Sequence, residues 1–582
     1  MSRRLGDFTT NGRQLAYLSG LAGVIGIMGG FIAWILLRFI GLITHLAYEG
    51  RLGWSLVAPN VHRWGLWSAV VPMVGGLIVG LLAKYGTDKI RGHGIPEAIQ
   101  AILEDNSQMQ LRVALVKPIA SAVTIGTGGP FGAEGPIIMT GGAVGSLVAQ
   151  CFKLSSLERR TLLVAGAAAG MSATFGAPVA SVLLAVELLL FEWRPRSLIP
   201  VAIASAIADG IRVWLLGTAP IFATRPSYGL AWDTIVWAIM IGIGAGIVSG
   251  LLTKLVYIIE DTYSKIPLHW AWWPAIGGLF VGLGGLLDPR ALGVGYPTIR
   301  LLDAGHLLWQ AALVLFAVKA AIWVLSLSSG TSGGVLAPLL MLGGALGVIL
   351  SPLLPGHMVG IWATIGMAAM LGGTMRSPFT ATIFTIETTH NWAMLLPVLM
   401  ASLTGMAVTV LWIPRSILTD QIARRGIHVA REYAVHPLEA QAIKDIMVPR
   451  TRITGLAEQV PLTEAALMIR QDVVRSHFSY PSLDVDGEMT GVVYRRDILL
   501  GRSGQVCDVM EPAITVGEWE RVRVLVEKLA RHSRSEARVV DGEGRWVGWV
   551  TRSDVFTTWR RYLDQEERRE RVIPLPGQYT RS

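Results

Sequence analysis

The chain has 582 residues, of which 52% are hydrophobic and 16% are charged, and its mean hydropathy is +0.50. Together with 66 glycines, these values indicate a polytopic membrane protein. The net charge of +9 would suggest nucleic acid binding in a soluble protein, but here Lys and Arg gather at segment ends, as in Arg3-Arg4, Arg194–Arg196 and Arg424-Arg425. That distribution is typical of positive-inside topology, so we expect no nucleic acid partner.

The polar N-terminus, MSRRLGDFTTNGRQL, precedes an apolar run without a recognisable cleavage site, so we expect no removed signal peptide. Cys151 and Cys507 lie too far apart in the sequence to form a disulfide framework or a metal cage. We therefore expect no metal and no required cofactor.

Apolar spans follow one another through the first 415 residues. They lie near 16–38, 64–84, 112–127, 137–153, 161–191, 199–217, 235–258, 269–287, 306–327, 333–354, 358–373 and 379–412. Several are too short or too rich in glycine to cross about 30 Å of hydrocarbon alone. Interrupted helices are tolerated at membrane depth where protein or a water-filled path satisfies their backbone, so the short segments predict the permeation path.

The stretch Gly126–Gly145, GTGGPFGAEGPIIMTGGAVG, carries one carboxylate, Glu134, among apolar residues and glycines. An ionisable side chain in such a run costs about 2–3 kcal/mol, which indicates a function. The glycines leave backbone amides free to face Glu134, and a helix that begins there would direct its positive end to the same place. These features predict an anion site for which the carboxylate competes.

A second copy of this stretch follows. Pro338–Gly347, PLLMLGGALG, repeats Pro136–Gly145, PIIMTGGAVG, at an offset of 202 (338 − 136). Further matches 200 residues apart pair Gly166, Ala168, Ala169, Thr174, Pro178 and Glu187 with Gly366, Ala368, Ala369, Thr374, Pro378 and Glu387. We expect two inverted repeats, approximately 16–217 and 235–415, within a membrane domain that covers 1–415.

The composition changes after Arg415. We expect a linker at 416–441 with helical periodicity in its first half, a soluble α/β pair at 442–502 and 503–563, and a charged tail at 564–582. The pair is duplicated too: DIMVP at 445–449 recurs as DVMEP at 508–512, and GVVYRRDIL at 491–499 recurs as GWVTRSDVF at 548–556.

The motifs GHGIPE at 92–97, GAEGP at 132–136 and GGVLAP at 333–338, with the segment around Glu187, resemble the CLC family of chloride channels and proton-coupled chloride transporters. The C-terminal pair resembles cystathionine-β-synthase-type (CBS) domains. The resemblance implies the CLC fold: an all-α membrane domain with an inverted internal repeat, followed by an α/β CBS pair. It also implies a homodimer with one anion path in each subunit.

By this resemblance Glu134 is the gating glutamate, whose carboxylate occupies an anion position and swings away when protonated or displaced. An ion pair of Glu134 with a hidden lysine such as Lys117 is the structural alternative. The anion is expected to lie against two further sets of residues from the matching motifs: His93, Gly94, Ile95 and Pro96 in the first, and Ala133, Val335, Leu336 and Leu418 in the second.

Three positions depart from the family's pattern. His93 replaces a Ser or Pro, so an imidazole replaces a hydroxyl donor, or else it faces the cytoplasmic vestibule. Leu418 replaces the central tyrosine and cannot donate a hydrogen bond. Leu188 replaces the second of two glutamates, the internal proton acceptor; its neighbour Glu187 matches the first, structural one, and Glu192 is a candidate substitute.

In the CBS pair, Thr551 and Asp554 match a pattern that binds adenosine nucleotides, although such a pair at a turn also caps helices. Adenine nucleotide is thus a candidate ligand.

The departure at Leu188 favours passive, gated conduction of chloride, with proton-coupled chloride antiport as the alternative. We expect an integral protein of the cell (inner) membrane with its N-terminus and CBS domains in the cytoplasm, and no enzymatic activity. The sequence contains no His-Glu-x-x-His motif of an intramembrane metalloprotease. Glu134 and Glu187 stand singly, which disfavours a divalent-cation channel.

Overall fold

The computed structural model describes residues 12–59, 64–222, 232–355, 359–424, 441–470, 478–500 and 503–567. Within these ranges the chain forms two compact units, one that extends to Arg424 and one that covers 441–567.

The first unit is built of helices. They are α1 Gly12–Thr44, α2 Val70–Tyr85, α3 Ile95–Leu103, α4 Leu111–Gly126, α5 Glu134–Gln150, α6 Ser156–Phe175, α7 Pro178–Leu184, α8 Pro195–Leu216, α9 Asp233–Ser264, α10 Trp273–Leu287, α11 Tyr296–Asp303, α12 Trp309–Ser328, α13 Leu336–Leu350, α14 Val359–Met375, α15 Pro378–Thr389, α16 Leu395–Trp412 and α17 Ile417–Arg424. Eight helical segments in the described ranges are long and apolar enough to cross a membrane. The prediction of a polytopic membrane protein is confirmed.

Two of the apolar spans expected from the sequence each contain two helices. The span at 161–191 divides because α6 ends at Gly176, which has a left-handed φ of 62°, and Pro178 begins α7, which continues as a π-helical turn over Ala185–Leu190. The span at 379–412 divides where His390, with φ 55°, ends α15. The short helices α3 and α11 lie outside the apolar spans expected from the sequence.

The two repeats contain corresponding helix crossings. A Cβ atom on Gly141 of α5 would lie 2.2 Å from the carbonyl oxygen of Gly166 in α6. The corresponding Cβ on Gly343 of α13 would lie 2.3 Å from the carbonyl oxygen of Gly366 in α14. Only small residues allow such close approach, so each repeat builds the same glycine-to-glycine crossing.

The two repeats also contact each other through matching segments, which are related by a local two-fold axis. Gly132, before α5, and Gly334, before α13, form an antiparallel bridge with amide-to-carbonyl distances of 3.1 and 2.8 Å. Since the two segments run in opposite directions and precede matching helices, the repeats are inverted, as predicted.

The second unit is an α/β structure. Its strands are β1 Val448–Pro449, β2 Leu456–Ala457, β3 Ser479–Leu483, β4 Met489–Tyr494, β5 Glu511–Pro512, β6 Ile514–Gly517, β7 Glu536–Val540 and β8 Trp546–Thr551, and its helices are α18 Leu462–Arg470, α19 Arg495–Leu500, α20 Val506–Val509, α21 Val522–Arg531 and α22 Arg552–Glu567. The sheet orders are β2-β3-β4-β5 and β1-β8-β7-β6. Each sheet contains one parallel pair of strands: β2 and β3, joined through α18, and β6 and β7, joined through α21. The short strand β1 of the first sequence copy pairs with β8 of the second, and β5 of the second copy pairs with β4 of the first.

Of the expected linker, Ile417–Arg424 forms α17, whose Ile417, Leu418 and Ile422 are buried. Residues 425–440 lie outside the described residues. The expected tail begins inside a helix, because α22 extends to Glu567; residues 568–582 lie outside the description.

Candidate functional site

The Glu134 side chain lies at the first residue of α5 and is fully buried. Its Oε1 accepts a hydrogen bond of 2.7 Å from the backbone amide of Ala337, in the first turn of α13. The amides of Leu336 and of Glu134 itself also interact with the carboxylate. The carboxylate thus occupies a helix N-terminus of the other repeat, which is a place where an anion is stabilised.

Two glycines make room for this carboxylate. A Cβ atom on Gly132 would lie 1.8 Å from Oε2 of Glu134, and one on Gly334 would lie 2.7 Å from its Cδ. Neither position tolerates a larger residue with the carboxylate in place. The neighbouring Ala133, Val335 and Leu336 are buried against the same bridge.

The loop before α3 packs against the first turn of α5. Gly94 has φ 92°, and a Cβ there would lie 2.5 Å from the carbonyl oxygen of Gly135; a Cβ on Gly135 would lie 1.9 Å from the carbonyl oxygen of His93. The Gly94 amide donates to Oε2 of Glu97 at 2.9 Å. The structure therefore brings His93, Gly94 and the start of α3, with Ile95 and Pro96, next to Glu134.

Lys117 of α4 holds this loop. Its Nζ donates to the carbonyl oxygens of Ile90 and Gly92 at 2.7 and 2.8 Å, and its charge interacts with that of Glu97. The structural alternative, in which Lys117 pairs with Glu134, is therefore wrong: the lysine is occupied by two carbonyl groups.

A cavity of about 460 Å³ adjoins the loop. Its lining includes His93, Tyr257, Ile417 and Gln421. Leu418 itself is fully buried, and the neighbouring Ile417 carbonyl accepts a hydrogen bond of 2.5 Å from the Tyr257 hydroxyl. Tyr257 was not predicted as a site residue from the sequence, because it lies within the long apolar helix α9 and no motif marks it.

The two acids that follow α7, Glu187 and Glu192, have defined partners. Glu187 accepts from the amides of Phe379 and Thr380 at 3.3 and 2.7 Å, at the first turn of α15. Leu188 is fully buried beside it. Glu192 accepts from the Ser197 hydroxyl at 2.5 Å and lies 3.4 Å from Nε of Arg194, with 16% of its side chain exposed.

The second repeat contains a counterpart of the Lys117 arrangement that the sequence analysis also missed. Lys319 of α12 donates from Nζ to the carbonyl oxygens of Ala291 and Gly293 at 2.9 and 3.3 Å, before α11. A signal was present in the sequence, because Lys319 follows Lys117 by the same 202 residues and GVGYP at 293–297 resembles GHGIP at 92–96.

In the second unit, Oδ2 of Asp554 accepts hydrogen bonds from the Thr551 amide and hydroxyl, both at 2.8 Å. The pair therefore caps the start of α22. Nucleotide binding at these residues stays a prediction.

Comparison with known proteins places this geometry in a family. A model of the family described as voltage gated chloride channel matches residues 75–410. The chain is 31% identical over 408 residues to the H(+)/Cl(-) exchange transporter ClcA of Klebsiella pneumoniae subsp. pneumoniae, covering 67% of this chain and 83% of the relative. It is likewise 31% identical over 407 residues to the transporter of that name from Salmonella arizonae, with the same coverage.

Solved structures share the fold. A slow cyanobacterial Cl−/H+ antiporter matches with a TM-score of 0.60 and 22% identity, covering 72% of this chain and 99% of that one. A eukaryotic CLC transporter matches with a TM-score of 0.62 and 18% identity, covering 93% and 98%. The chain therefore belongs to the voltage-gated chloride channel family of integral membrane anion transporters.

Proposed function

We propose that the protein exchanges chloride for protons, with one anion path in each subunit of a homodimer and Glu134 as the gate. The observation that carries this proposal is the carboxylate of Glu134 on the N-terminus of α13, hydrogen bonded to Ala337. Chloride and a carboxylate compete for the same amides, so protonation of Glu134 or its displacement by chloride opens the path.

We prefer exchange to passive conduction because relatives that are 31% identical to this chain over about 400 aligned residues are named H(+)/Cl(-) exchange transporters. This reverses the preference that Leu188 gave on sequence alone. Passive conduction stays the second candidate, since an aliphatic, fully buried Leu188 has no proton to transfer.

An exchanger needs another internal acid. Glu187 is unsuited because both oxygens of its carboxylate accept amide hydrogen bonds at the start of α15. Glu192 retains partial exposure and a hydroxyl partner in Ser197, so we assign it the role of proton acceptor on the inner side.

The reversal potential under crossed chloride and proton gradients tests the proposal. For a coupled exchanger, imposing a pH gradient at a fixed chloride gradient moves the reversal potential away from the chloride equilibrium value. A reversal potential that stays at that value whatever the pH gradient identifies a passive channel instead.

The inner end of the path is proposed at the cavity lined by His93, Tyr257 and Ile417. There the His93 imidazole and backbone amides take the place of the serine and tyrosine hydroxyls of the family's pattern, because Leu418 contributes no hydrogen-bond donor. The basic segment ends favour an orientation with the N-terminus and the second unit in the cytoplasm, and we propose the cell membrane as the location. We propose the second unit as a CBS pair, with adenine nucleotide as a candidate ligand at Thr551 and Asp554; calorimetric titration with ATP tests it.

A further inference from the structure

The first residue of α11 is a tyrosine in an unusual position. The GVGYP segment at 293–297 occupies in the second repeat the place of GHGIP at 92–96, so Tyr296 stands where the first repeat has Ile95. Lys117 and Lys319 fix the two loops through pairs of carbonyl groups in the same way. The start of α11 is thus the counterpart of the start of α3, but it carries the phenol side chain of Tyr296.

Tyr296 lies beside the part of α13 that holds Glu134. The preceding Gly295 has φ 78°, and a Cβ there would lie 1.9 Å from Cε of Met341. Met341 is one helical turn after Ala337, whose amide binds Glu134. The phenol of Tyr296 and the carboxylate of Glu134 interact electrostatically, which agrees with this placement.

Both side chains have an unused polar atom. Tyr296 is 6% exposed, and within the described residues its buried hydroxyl has no hydrogen-bond partner. The same holds for Oε2 of Glu134. A buried polar group without a partner is costly, so two of them beside one helix end need an explanation.

The surroundings of Tyr296 hold its ring in place. Phe175 and Phe222 pack edge-on against it, with ring centroids at 6.3 and 5.7 Å. A cavity of about 170 Å³, lined by residues that include Thr44, Gly295, Tyr296 and Arg300, adjoins the loop and has room for water. The ring is therefore fixed while its polar end remains available.

We propose that Tyr296 is a positioning residue of the gate: its hydroxyl donates a hydrogen bond to the Glu134 carboxylate when the carboxylate leaves the α13 N-terminus. The donor stabilises the ionised carboxylate in its displaced position and so favours the open path. The inference rests on the proposed gating role of Glu134 and deepens it.

Three other charged or titratable residues lie near Tyr296 and Glu134. Lys319 of α12 interacts electrostatically with Glu134, and Arg300, on α11 itself, interacts with Tyr296. His93 precedes α3 and contacts the first turn of α5 through its backbone. Lys319 donates to the carbonyl groups of Ala291 and Gly293, and Nε of Arg300 donates to that of Ile221. The Tyr296 hydroxyl, in contrast, has no partner within the described residues.

The test compares Tyr296→Phe with Tyr263→Phe in reconstituted dimers, each measured as chloride flux at neutral and at acidic pH. Tyr263 is the matched control because it is also buried and also has a hydroxyl without a partner in the described residues. It lies at the end of α9, where its ring packs against Trp273. Size-exclusion chromatography checks that each variant is folded.

We expect Tyr296→Phe to lower flux about fivefold at neutral pH, where the displaced carboxylate is ionised and needs the donor, and much less at acidic pH, where it is neutral. Tyr263→Phe leaves both rates unchanged. In a Glu134→Ala background the Tyr296→Phe effect disappears, because no side-chain oxygen remains there to accept the bond.

Three results overturn the inference in distinguishable ways. If Glu134→Gln changes flux but Tyr296→Phe does not, Tyr296 has no part in the gate. If the effect of Tyr296→Phe persists undiminished in the Glu134→Ala background, the ring acts by packing alone. If Glu134→Gln itself leaves flux and its pH response unchanged, the proposed gate fails and the role of Tyr296 fails with it.

Discussion

Glu187 of the first repeat caps a helix of the second repeat, and Glu387 of the second repeat caps a helix of the first. Glu187, in the π-helical turn after α7, accepts from the amides at the start of α15, while Glu387 near the end of α15 accepts from the amides of Val179 and Ala180 at the start of α7, at 3.0 and 2.8 Å. Each carboxylate thus satisfies orphan amides and complements the positive helix end across the interface between repeats.

The first prediction concerns this exchange of caps. Glu187→Ala should destabilise the protein by about 1–2 kcal/mol, because the buried amide of Thr380 and the partly buried amide of Phe379, at the start of α15, lose their acceptor. Glu387→Ala should have a similar effect by symmetry. Glu192→Gln is the control, since it keeps the shape of a partly exposed side chain. Thermal unfolding in detergent measures the change, and equal midpoints for Glu187→Ala and Glu192→Gln would contradict the capping role.

The second prediction concerns the gate. Glu134→Gln should raise chloride flux or remove its pH dependence, because a neutral amide competes less well than a carboxylate for the amides of α13. Chloride efflux from proteoliposomes over a range of pH measures this. Unchanged flux with an unchanged pH response would count against Glu134 as the gate.

The third prediction uses the glycine next to the gate. Gly132→Ala should displace the Glu134 carboxylate from the α13 N-terminus, because the added methyl would lie 1.8 Å from Oε2. We expect flux closer to that of Glu134→Gln than to wild type. Gly142→Ala is the matched control in α5, since its nearest neighbour would lie 3.5 Å away, an ordinary contact. A gating change in Gly142→Ala as large as that in Gly132→Ala would refute the explanation.

The fourth prediction concerns the proton route. In Glu192→Gln the pH-dependent shift of the reversal potential should be lost while chloride conduction persists, because an amide does not carry a proton between the cytoplasm and Glu134. Glu104→Gln serves as control; that carboxylate lies on the exposed end of α3, paired with Gln100 at 2.9 Å. A shift that survives in Glu192→Gln would place the acid elsewhere.

The fifth prediction concerns the second unit. A chain that ends at Gln441 should still fold, because the two units have separate buried cores: one around α5, α6, α13 and α14, the other between the sheets and helices of 441–567. It should also keep the proposed homodimer, because the resemblance to the CLC family implies a subunit interface within the membrane domain. Light scattering measures the oligomeric state. Any nucleotide effect on flux should vanish with this truncation, and a monomeric product would contradict the prediction.

The sequence alone determined the features that depend on local pattern. Apolar runs are long enough to mark spans, the abrupt loss of apolar glycine-rich segments after Arg415 marks the soluble unit, and the recurrence of matching positions 200 to 202 residues apart reveals the duplication. Glu134 was identifiable because a single carboxylate among glycines in a membrane segment is costly unless it functions.

The tertiary structure alone decided which groups meet across the repeats. No local pattern shows that Glu134 binds the amide of Ala337 rather than Lys117, or that Glu187 caps α15, because these partners lie about 200 residues apart and contact only when the inverted repeats pack. The helices α3 and α11 escaped detection because eight or nine residues carry too little periodicity. Their starts gain stability from the buried lysines and close glycine contacts around them, and that packing places Tyr296 next to the part of α13 that binds Glu134.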